Sequence, residues 1–327
     1  MPPVGPGAWL PEDARGSSLV VGVSPEARGA RTAASARQVS VRAVLVTLRP
    51  KQWIKNALVV AAAGAAGALG RDDVPVHVGL GCVAFCLLAS GIYAINDVRD
   101  AAEDRLHPRK RLRPVAAGSL DPRVATLLGL TLLSAGIALS AAVRPLLAVV
   151  AVAYVAVTVS YTVVLRRIAV LDIAAIAGGF VLRAVAGGVA APVTLSRWFV
   201  LVVTSAAVLV AATKRQAELR RTEQARIGGR SVLERYGAPR LRLIIAGSAA
   251  VALFAYGVWA FALPDVDGVP WRPLTIVPFA ACLLRYRALV ESGGGEAPEE
   301  LLLTDRWLAL GGLVWLVVFA LSVHAAG

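Results

Sequence analysis

Cysteine is scarce in this chain, and its few copies exclude two classes of protein. The 327 residues contain three cysteines, Cys82, Cys86 and Cys282, and all lie within apolar segments. Cys82 and Cys86 are four residues apart, but no further soft ligand lies near them in the sequence. Neither a structural metal site nor a disulfide framework is therefore indicated. We interpret the three as small apolar packing residues.

Charged residues are also few for a protein of this length. They make up 17% of the chain, apolar residues make up 57%, and the mean hydropathy is +0.68. The apolar stretches recur at close to the ~20 residues that a helix needs to cross a bilayer. This composition excludes a soluble protein and predicts an all-α, polytopic membrane protein.

Nine membrane-spanning helices are predicted, following a tail that lacks any apolar run. Residues 1–44 are rich in Pro, Gly, Ala, Ser and Arg, which predicts a disordered tail and not a signal peptide. The helical bundle is expected to occupy residues 45–327. The predicted spans are 53–70, 78–96, 124–142, 146–165, 168–190, 197–213, 241–263, 272–290 and 306–325.

Positive charge is almost missing from one side of these spans. With a cytoplasmic N-terminus, 29 of the 34 Lys and Arg residues lie on the cytoplasmic side, Arg183 lies within a span, and only Arg71, Arg144, Arg197 and Arg272 lie on the other side. The positive-inside rule therefore predicts a multi-pass protein of the plasma (inner) membrane with its functional site in the cytoplasm. Since the basic residues lie between spans, we expect anionic lipid and phosphorylated substrates as partners, and no nucleic acid.

A group of acidic residues follows the second predicted span. Asp97, Asp100 and Asp104 are spaced so that a continuing helix would place them on one face, and Asn96 precedes them. Carboxylates clustered at the negative end of a helix are costly, and Mg²⁺ relieves this while also binding substrate phosphates. We predict a Mg²⁺–diphosphate site held by all three acids, with Asp97 and Asp100 catalytic. The alternative is a solvated helix end whose acids pair with nearby arginines.

Basic residues beside the acids and at the end of the sixth span suit a diphosphate. Lys110 and Arg113 offer a point charge and a planar fork, although ordinary positive-inside loop chemistry also explains them. Lys214, Arg215 and Glu218 are expected either to form a phosphate cradle that also contacts sugar hydroxyls, or to make one surface ion pair between Lys214 and Glu218.

A third basic group precedes the first span. Lys51 and Lys55 are expected to share a helix face, with Asn56 beside them. These residues either orient the span or contact a phosphate that enters from the lipid.

Charges near the membrane interior mark the turn between the fourth and fifth spans. Tyr161 precedes this turn, and Asp172 follows it. Asp172 and Arg183 are functional candidates because charges are costly within a membrane. They are about 16 Å apart along a helix, so we expect each to pair with another residue.

These motifs resemble those of the UbiA superfamily of intramembrane prenyltransferases. The resemblance rests on R-P-K-Q-W-I-K-N at 49–56, N-D-V-R-D-A-A-E-D-R-L-H-P-R-K-R-L-R-P at 96–114 and K-R-Q-A-E-L at 214–219, and it extends over 45–326. Typical members carry a second acidic motif, D-x-x-x-D, where this chain has K-R-Q-A-E. The departure favours a branch that transfers a phosphoribosyl group and not a prenyl group.

The resemblance implies a reaction and assigns the candidate residues. It implies phosphoribosyl diphosphate as donor, a polyprenyl (decaprenyl) phosphate as acceptor, Mg²⁺ as cofactor, and a role in making precursors of cell-wall arabinan. The rivals are a UbiA-type prenyltransferase with an aromatic acceptor and a lipid or solute transporter. A homo-oligomer is compatible with the sequence. The expected donor contacts are Asn96, Asp104, Lys110, Arg113, Tyr161, Lys214, Arg215 and Glu218, and the expected acceptor contacts are Lys51, Lys55 and Asn56.

Overall fold

The computed structural model of this chain describes residues 40–225, 231–262, 269–292, 301 and 304–324. Most of the predicted tail therefore lies outside the described residues. Its last part differs from the prediction, because a helix begins at Val41. This helix buries Ala43 and Thr47 and exposes Val41 and Leu45.

The described residues form α-helices joined by short turns, several of which are 3₁₀ turns. The α-helices are α1 (Val41–Leu48), α2 (Ala57–Ala65), α3 (Val74–Arg99), α4 (Ala101–Leu106), α5 (Pro122–Val143), α6 (Pro145–Val163), α7 (Leu171–Ala190), α8 (Arg197–Ala225), α9 (Ser231–Phe261), α10 (Trp271–Leu274), α11 (Ile276–Glu291) and α12 (Arg306–His324). The 3₁₀ turns are Pro50–Asn56, Ala68–Gly70, Lys110–Leu112 and Leu165–Arg167.

Eight helical segments among the described residues are long and apolar enough to cross a membrane. They confirm the predicted all-α, polytopic architecture. The first of the nine predicted spans, 53–70, is not one of them. There the chain forms a 3₁₀ turn, the nine-residue α2 and a second 3₁₀ turn. Nine α-helical residues are only about 14 Å long, against a hydrocarbon core of about 30 Å.

Prolines set where three of the long helices begin. Pro75, Pro122 and Pro145 each occupy the first turn of a helix, where the missing N–H has no intrahelical partner to lose. The Asp121 carboxylate also caps α5, since it accepts the backbone N–H of Arg123 at 2.7 Å. Because each proline lies in the first turn of its helix, it helps to set where the helix begins and therefore which residues lie at its other end.

Glycines allow the helices around the site to approach closely. A Cβ on Gly187 of α7 would lie 2.0 Å from the carbonyl oxygen of Val59 in α2. A Cβ on Gly136 of α5 would lie 2.7 Å from the Leu88 side chain in α3. Small residues at such crossings let backbones pack against each other where no water drives association. The close contact with α7 holds the short α2 in place.

We expect Gly187→Ala to destabilise the protein, because the new methyl group overlaps the backbone of α2. Overpacking of this kind costs about 1–3 kcal/mol. The measurement is the apparent Tm of the detergent-solubilised protein, and we expect a fall of several degrees. Gly178→Ala is the matched control on the same helix, since its nearest neighbour, a Val157 methyl, is 3.8 Å away. Equal Tm values for the two variants would contradict the close packing.

Candidate functional site

The predicted acids lie on an almost continuous helix. α3 ends at Arg99 and α4 begins at Ala101, with Asp100 between them at φ −89° and ψ 4°. The helical hydrogen bonds nevertheless continue through the break: Asp100 N donates to Asn96 O and Asp104 N donates to Asp100 O, both at 2.9 Å. Asp97 and Asp104 are buried, whereas Asp100 is partly exposed.

Two of the acids converge on one guanidinium group. Arg113 Nη1 lies 2.6 Å from Asp104 Oδ2 and 3.4 Å from Asp97 Oδ1. Arg49 Nη2 donates to the same Asp97 oxygen at 2.5 Å. The pairing with arginines, one of the two alternatives left open by the sequence, is therefore present in the structure. It also shows that both carboxylates are directed at one point, which suits a cation.

Asp100 points to a different arginine. Its Oδ1 lies 3.7 Å from Arg166 Nη1, in the 3₁₀ turn between α6 and α7. Within the described part of the chain, no group of three or more His, Cys, Asp and Glu side chains is close enough to hold a metal ion. Two carboxylates completed by substrate phosphates are a usual Mg²⁺ site in proteins, so Asp97 and Asp104 fit the ion as a pair.

Arg49 is a site residue that the sequence reasoning missed. It has a left-handed backbone (φ 53°, ψ 61°) between α1 and the 3₁₀ turn that begins at Pro50. Its guanidinium group lies 4.8 Å from the centre of the Tyr93 ring, which adds a cation–π contact to the bond with Asp97. The Arg-Pro pair was the available signal, because proline disfavours the helical conformation in the residue before it.

Lys51 and Lys55 do not share a helix face as predicted. Residues 50–56 form a 3₁₀ helix, in which residues three apart, not four, are aligned. Lys55 Nζ accordingly donates to Gln52 Oε1 at 2.5 Å. Lys55 lines a large cavity, whereas Lys51 is exposed and is not among the residues that line it.

Asn56 and Arg183 form a buried polar group behind Lys55. Arg183 Nε donates to Asn56 Oδ1 at 2.7 Å, and its Nη2 donates to Tyr154 Oη at 2.8 Å. Asn56 Nδ2 is 3.1 Å from Cys86 Sγ. Asn56 is fully buried and its amide is engaged, so the structure places it behind the cavity wall. As expected, Arg183 does not pair with Asp172.

Arg215 is at the centre of a second buried group. Its Nε lies 2.6 Å from Asp172 Oδ2, its Nη1 lies 2.5 Å from Glu218 Oε2, and its Nη2 donates to Tyr161 Oη at 2.7 Å. The ion pair predicted between Lys214 and Glu218 is replaced by this one between Arg215 and Glu218. Tyr236 Oη donates to the other Asp172 oxygen.

An apolar cavity of about 1140 Å³ runs between the short α2 and helices α8, α9, α11 and α12. At one end it is lined by Lys55, Tyr161 and Lys214. Towards the other end it is lined by residues such as Gly67, which follows α2, and Val323, near the end of α12. Because α8, α9, α11 and α12 contain candidate membrane spans, the cavity between them extends along the direction of the spans. Its wall is mostly apolar, and both of its lysines, Lys55 and Lys214, are at one end.

The connection after α4 carries the predicted basic residues. His107 Nδ1 accepts the backbone N–H groups of Arg109 and Lys110 at 3.2 and 3.3 Å. Desolvation and the neighbouring Lys110 charge lower the pKa of His107, whose Nδ1 accepts both bonds. Lys110 is half-buried, and Arg109 and Arg111 are exposed. The ordered turn directs Arg113 to the acids.

The structure thus gathers the expected residues into two neighbouring groups. The acids meet Arg113 at the end of α3, and Asn96 is half-buried beside them. Lys55, Tyr161 and Lys214 meet at the polar end of the cavity. The turn between α6 and α7 connects the groups, since its Arg166 lies near Asp100 and Asp172, just after the turn in α7, is bonded to Arg215 of α8.

A known family matches most of the chain that contains these two groups. The sequence profile of the UbiA prenyltransferase family matches residues 57–311. This chain belongs to the UbiA prenyltransferase family. Its family membership agrees with the resemblance noted in the sequence motifs.

Two proteins named decaprenyl-phosphate phosphoribosyltransferase resemble this UbiA-family chain over most of its length. The protein of Mycolicibacterium smegmatis is 39% identical over 296 residues, which cover 87% of this chain and 93% of that protein. The protein of Corynebacterium glutamicum is 39% identical over 287 residues, which cover 86% of each.

Solved structures of UbiA homologues share the fold. The homologue from Archaeoglobus fulgidus bound to GPP and Mg²⁺ superposes with a TM-score of 0.65 at 18% identity, covering 86% of this chain and 99% of that one. The apo homologue from Aeropyrum pernix K1 gives a TM-score of 0.62 at 18% identity, covering 81% and 98%. These likenesses establish the UbiA fold of the chain.

We expect Arg183→Leu to destabilise this UbiA-family protein, because Asn56 and Tyr154 would lose a charged donor in the bundle interior. Leaving a buried polar group unsatisfied costs about 1–3 kcal/mol. The apparent Tm in detergent measures the effect. Arg197→Leu is the control at an exposed arginine and should change Tm little. A Tm for Arg183→Leu equal to the control would show that this polar group adds nothing to stability.

Proposed function

We propose that this chain transfers a 5-phosphoribosyl group from phosphoribosyl diphosphate to a polyprenyl phosphate such as decaprenyl phosphate, with release of diphosphate. The observation that carries the proposal is the polar end of the long apolar cavity, which adjoins the acid and arginine group through one turn. A lipid phosphate suits the first feature and a metal-bound diphosphate suits the second. The names of the two bacterial relatives support the same substrates.

The acids and Arg113 suit the donor. Asp97 and Asp104 would hold Mg²⁺ against the diphosphate, with Asp100 assisting, and the ion would neutralise charge on the departing group. Arg113 lies beside this pair, and Lys110, in the 3₁₀ turn before it, would supply further positive charge. Cleavage at the anomeric carbon transfers negative charge to the diphosphate, so these cations stabilise the transition state more than the bound donor.

The cavity and its polar end suit the acceptor. Lys55 and Lys214 would bind the lipid phosphate, with the Tyr161 hydroxyl between them and Arg215. The polyprenyl tail would fill the apolar cavity, which removes its surface from water and lipid. The acceptor phosphate is already anionic at pH 7, so no general base is required. Attack from the side opposite the diphosphate inverts the anomeric centre.

The absence of a second acidic motif supports a sugar donor. At the end of α8, Lys214 faces the cavity and Glu218 is committed to Arg215. A second metal-bound diphosphate subsite would need free carboxylates at this position. A lysine in place of a free carboxylate suits the phosphate of a lipid acceptor and not a second metal-bound prenyl diphosphate. We place this end of the bundle in the cytoplasm of a plasma membrane, where soluble phosphoribosyl diphosphate is available.

The test is a transfer assay with purified protein in detergent or liposomes. Labelled phosphoribosyl diphosphate and decaprenyl phosphate should give a labelled lipid and free diphosphate, and EDTA should abolish the product. A parallel reaction contains geranylgeranyl diphosphate and an aromatic acid. Product in the parallel reaction alone would overturn the proposal in favour of an aromatic prenyltransferase.

We expect Asp97→Asn to lower kcat by about 100-fold or more, because the buried carboxylate helps to hold the metal and leaving group. The transfer assay at saturating substrate measures the change. Glu103→Gln is the control, since Glu103 is an exposed acid on the adjoining α4. Wild-type turnover by Asp97→Asn would contradict the role of this acid.

We expect Ala206→Trp to raise KM for decaprenyl phosphate by about tenfold or more, because the indole would occupy space that the tail needs. The KM for phosphoribosyl diphosphate should not change. Ala142→Trp places the same side chain at an exposed position on α5 and should leave both values unchanged. Equal acceptor KM values in the two variants would exclude the cavity as the tail site.

A further inference from the structure

Asp172 and Arg215 form an ion pair that is almost completely shielded from solvent. Asp172 is 0% exposed and Arg215 is 2% exposed. Asp172 lies in the first turn of α7, and Arg215 lies 43 residues later in α8. Asp172 is outside the residues expected to touch either substrate. A buried charge is kept only where its partners compensate for its desolvation, so the pair requires an explanation.

Each nitrogen of Arg215 already bonds a protein group, and only 2% of the residue is exposed to a substrate phosphate. Its three nitrogens are bonded in three directions, to Asp172, Glu218 and Tyr161. A guanidinium group presents a rigid planar fork, so these bonds fix its orientation completely. Arg215 therefore acts on its neighbours and not on the donor phosphates. Its bond to Tyr161 fixes a hydroxyl group at the polar end of the cavity.

Asp172 is itself fixed by two further contacts. Its Oδ1 accepts the backbone N–H of Ile173 at 2.8 Å and also the hydroxyl of Tyr236 from α9. The same Tyr236 oxygen accepts the backbone N–H of Val170. Val170 has φ 72°, a conformation that costs energy in a β-branched residue and persists only where the surroundings impose it. Tyr236 and Asp172 thus hold the turn in a strained shape.

The strained turn carries Arg166, which faces Asp100 of the donor group. We propose that Asp172 and Tyr236 are positioning residues. They hold the acid and arginine group and the polar end of the cavity in the relative position that transfer requires. Through Arg215 they orient Tyr161 and the adjoining Lys214 at the acceptor end. Through the turn they place Arg166 beside Asp100. This inference rests on the proposed transfer reaction.

The expected signature is a loss of kcat without a loss of substrate binding. A misplacement of about 1 Å between reacting groups costs about 100-fold in rate. Asp172→Asn replaces the carboxylate that bonds Arg215 with a neutral amide. We therefore expect kcat to fall about 100-fold while both KM values stay within threefold. Arg215→Lys keeps the charge but cannot make three bonds in a plane, so it should behave similarly. Tyr236→Phe removes one hydroxyl and should lower kcat about tenfold.

The matched control breaks an Asp–Arg pair away from the site. Asp305 accepts two bonds from Arg285 at 3.2 and 2.7 Å, and Arg285 holds the pKa of Asp305 down at about 2. Asp305→Asn should alter Tm without altering kcat per folded molecule. Each rate is divided by the folded fraction, taken from size-exclusion chromatography and Tm. Wild-type kcat in folded Asp172→Asn and Tyr236→Phe would overturn the proposal.

Hydrogen–deuterium exchange separates this inference from the transfer reaction itself. In Asp172→Asn we expect faster exchange in residues 164–171 and unchanged exchange in 276–291. Wild-type protein that shows no transfer from phosphoribosyl diphosphate overturns the proposed function, whatever the exchange result. If the turn of the Asp172→Asn variant exchanges at the same rate as in the wild-type protein, the positioning role is overturned, whatever the activity of the wild-type protein.

Discussion

Lipid and tightly packed helices offer no water to a charged side chain, and this constraint governs the whole site. Each buried charge described at the functional end has partners within the bundle. Asp97 and Asp104 share Arg113, and Asp172 is bonded to Arg215. These pairs join segments that are distant in sequence. The arrangement of helices at this end therefore depends on charge pairing as well as on apolar packing.

The basic residues at this end occupy two kinds of position. Arg215 is bonded to acids within the bundle and shapes the site. Lys55 and Lys214 line the polar end of an apolar cavity, where an anionic headgroup would reach them. Under the proposed function, cations that bind phosphate and cations that hold the site would therefore be different residues. An arginine fork suits the fixed positions, and lysine suits the adaptable ones.

Much of the site was accessible from sequence because it depends on local spacing. Helix periodicity brings Asp97 and Asp104 to one arginine, because the helical hydrogen bonds continue through Asp100, whereas Asp100 itself faces Arg166. The lysines before the first span were placed wrongly, because their spacing was read on an α-helix where a 3₁₀ helix forms. Arg49 was missed because its position depends on a left-handed backbone and on Tyr93, which lies 44 residues away.

The sequence alone determined the class of protein, the position of the long apolar helices and the gathering of acids and bases at their ends. These properties depend on composition and on helical periodicity, which are local. Only the tertiary structure decided which arginine pairs with which acid, that Asn56 faces inward, and that one cavity joins Lys55 to Lys214. Such choices depend on helix crossings and on desolvation, and both arise only when distant segments pack together.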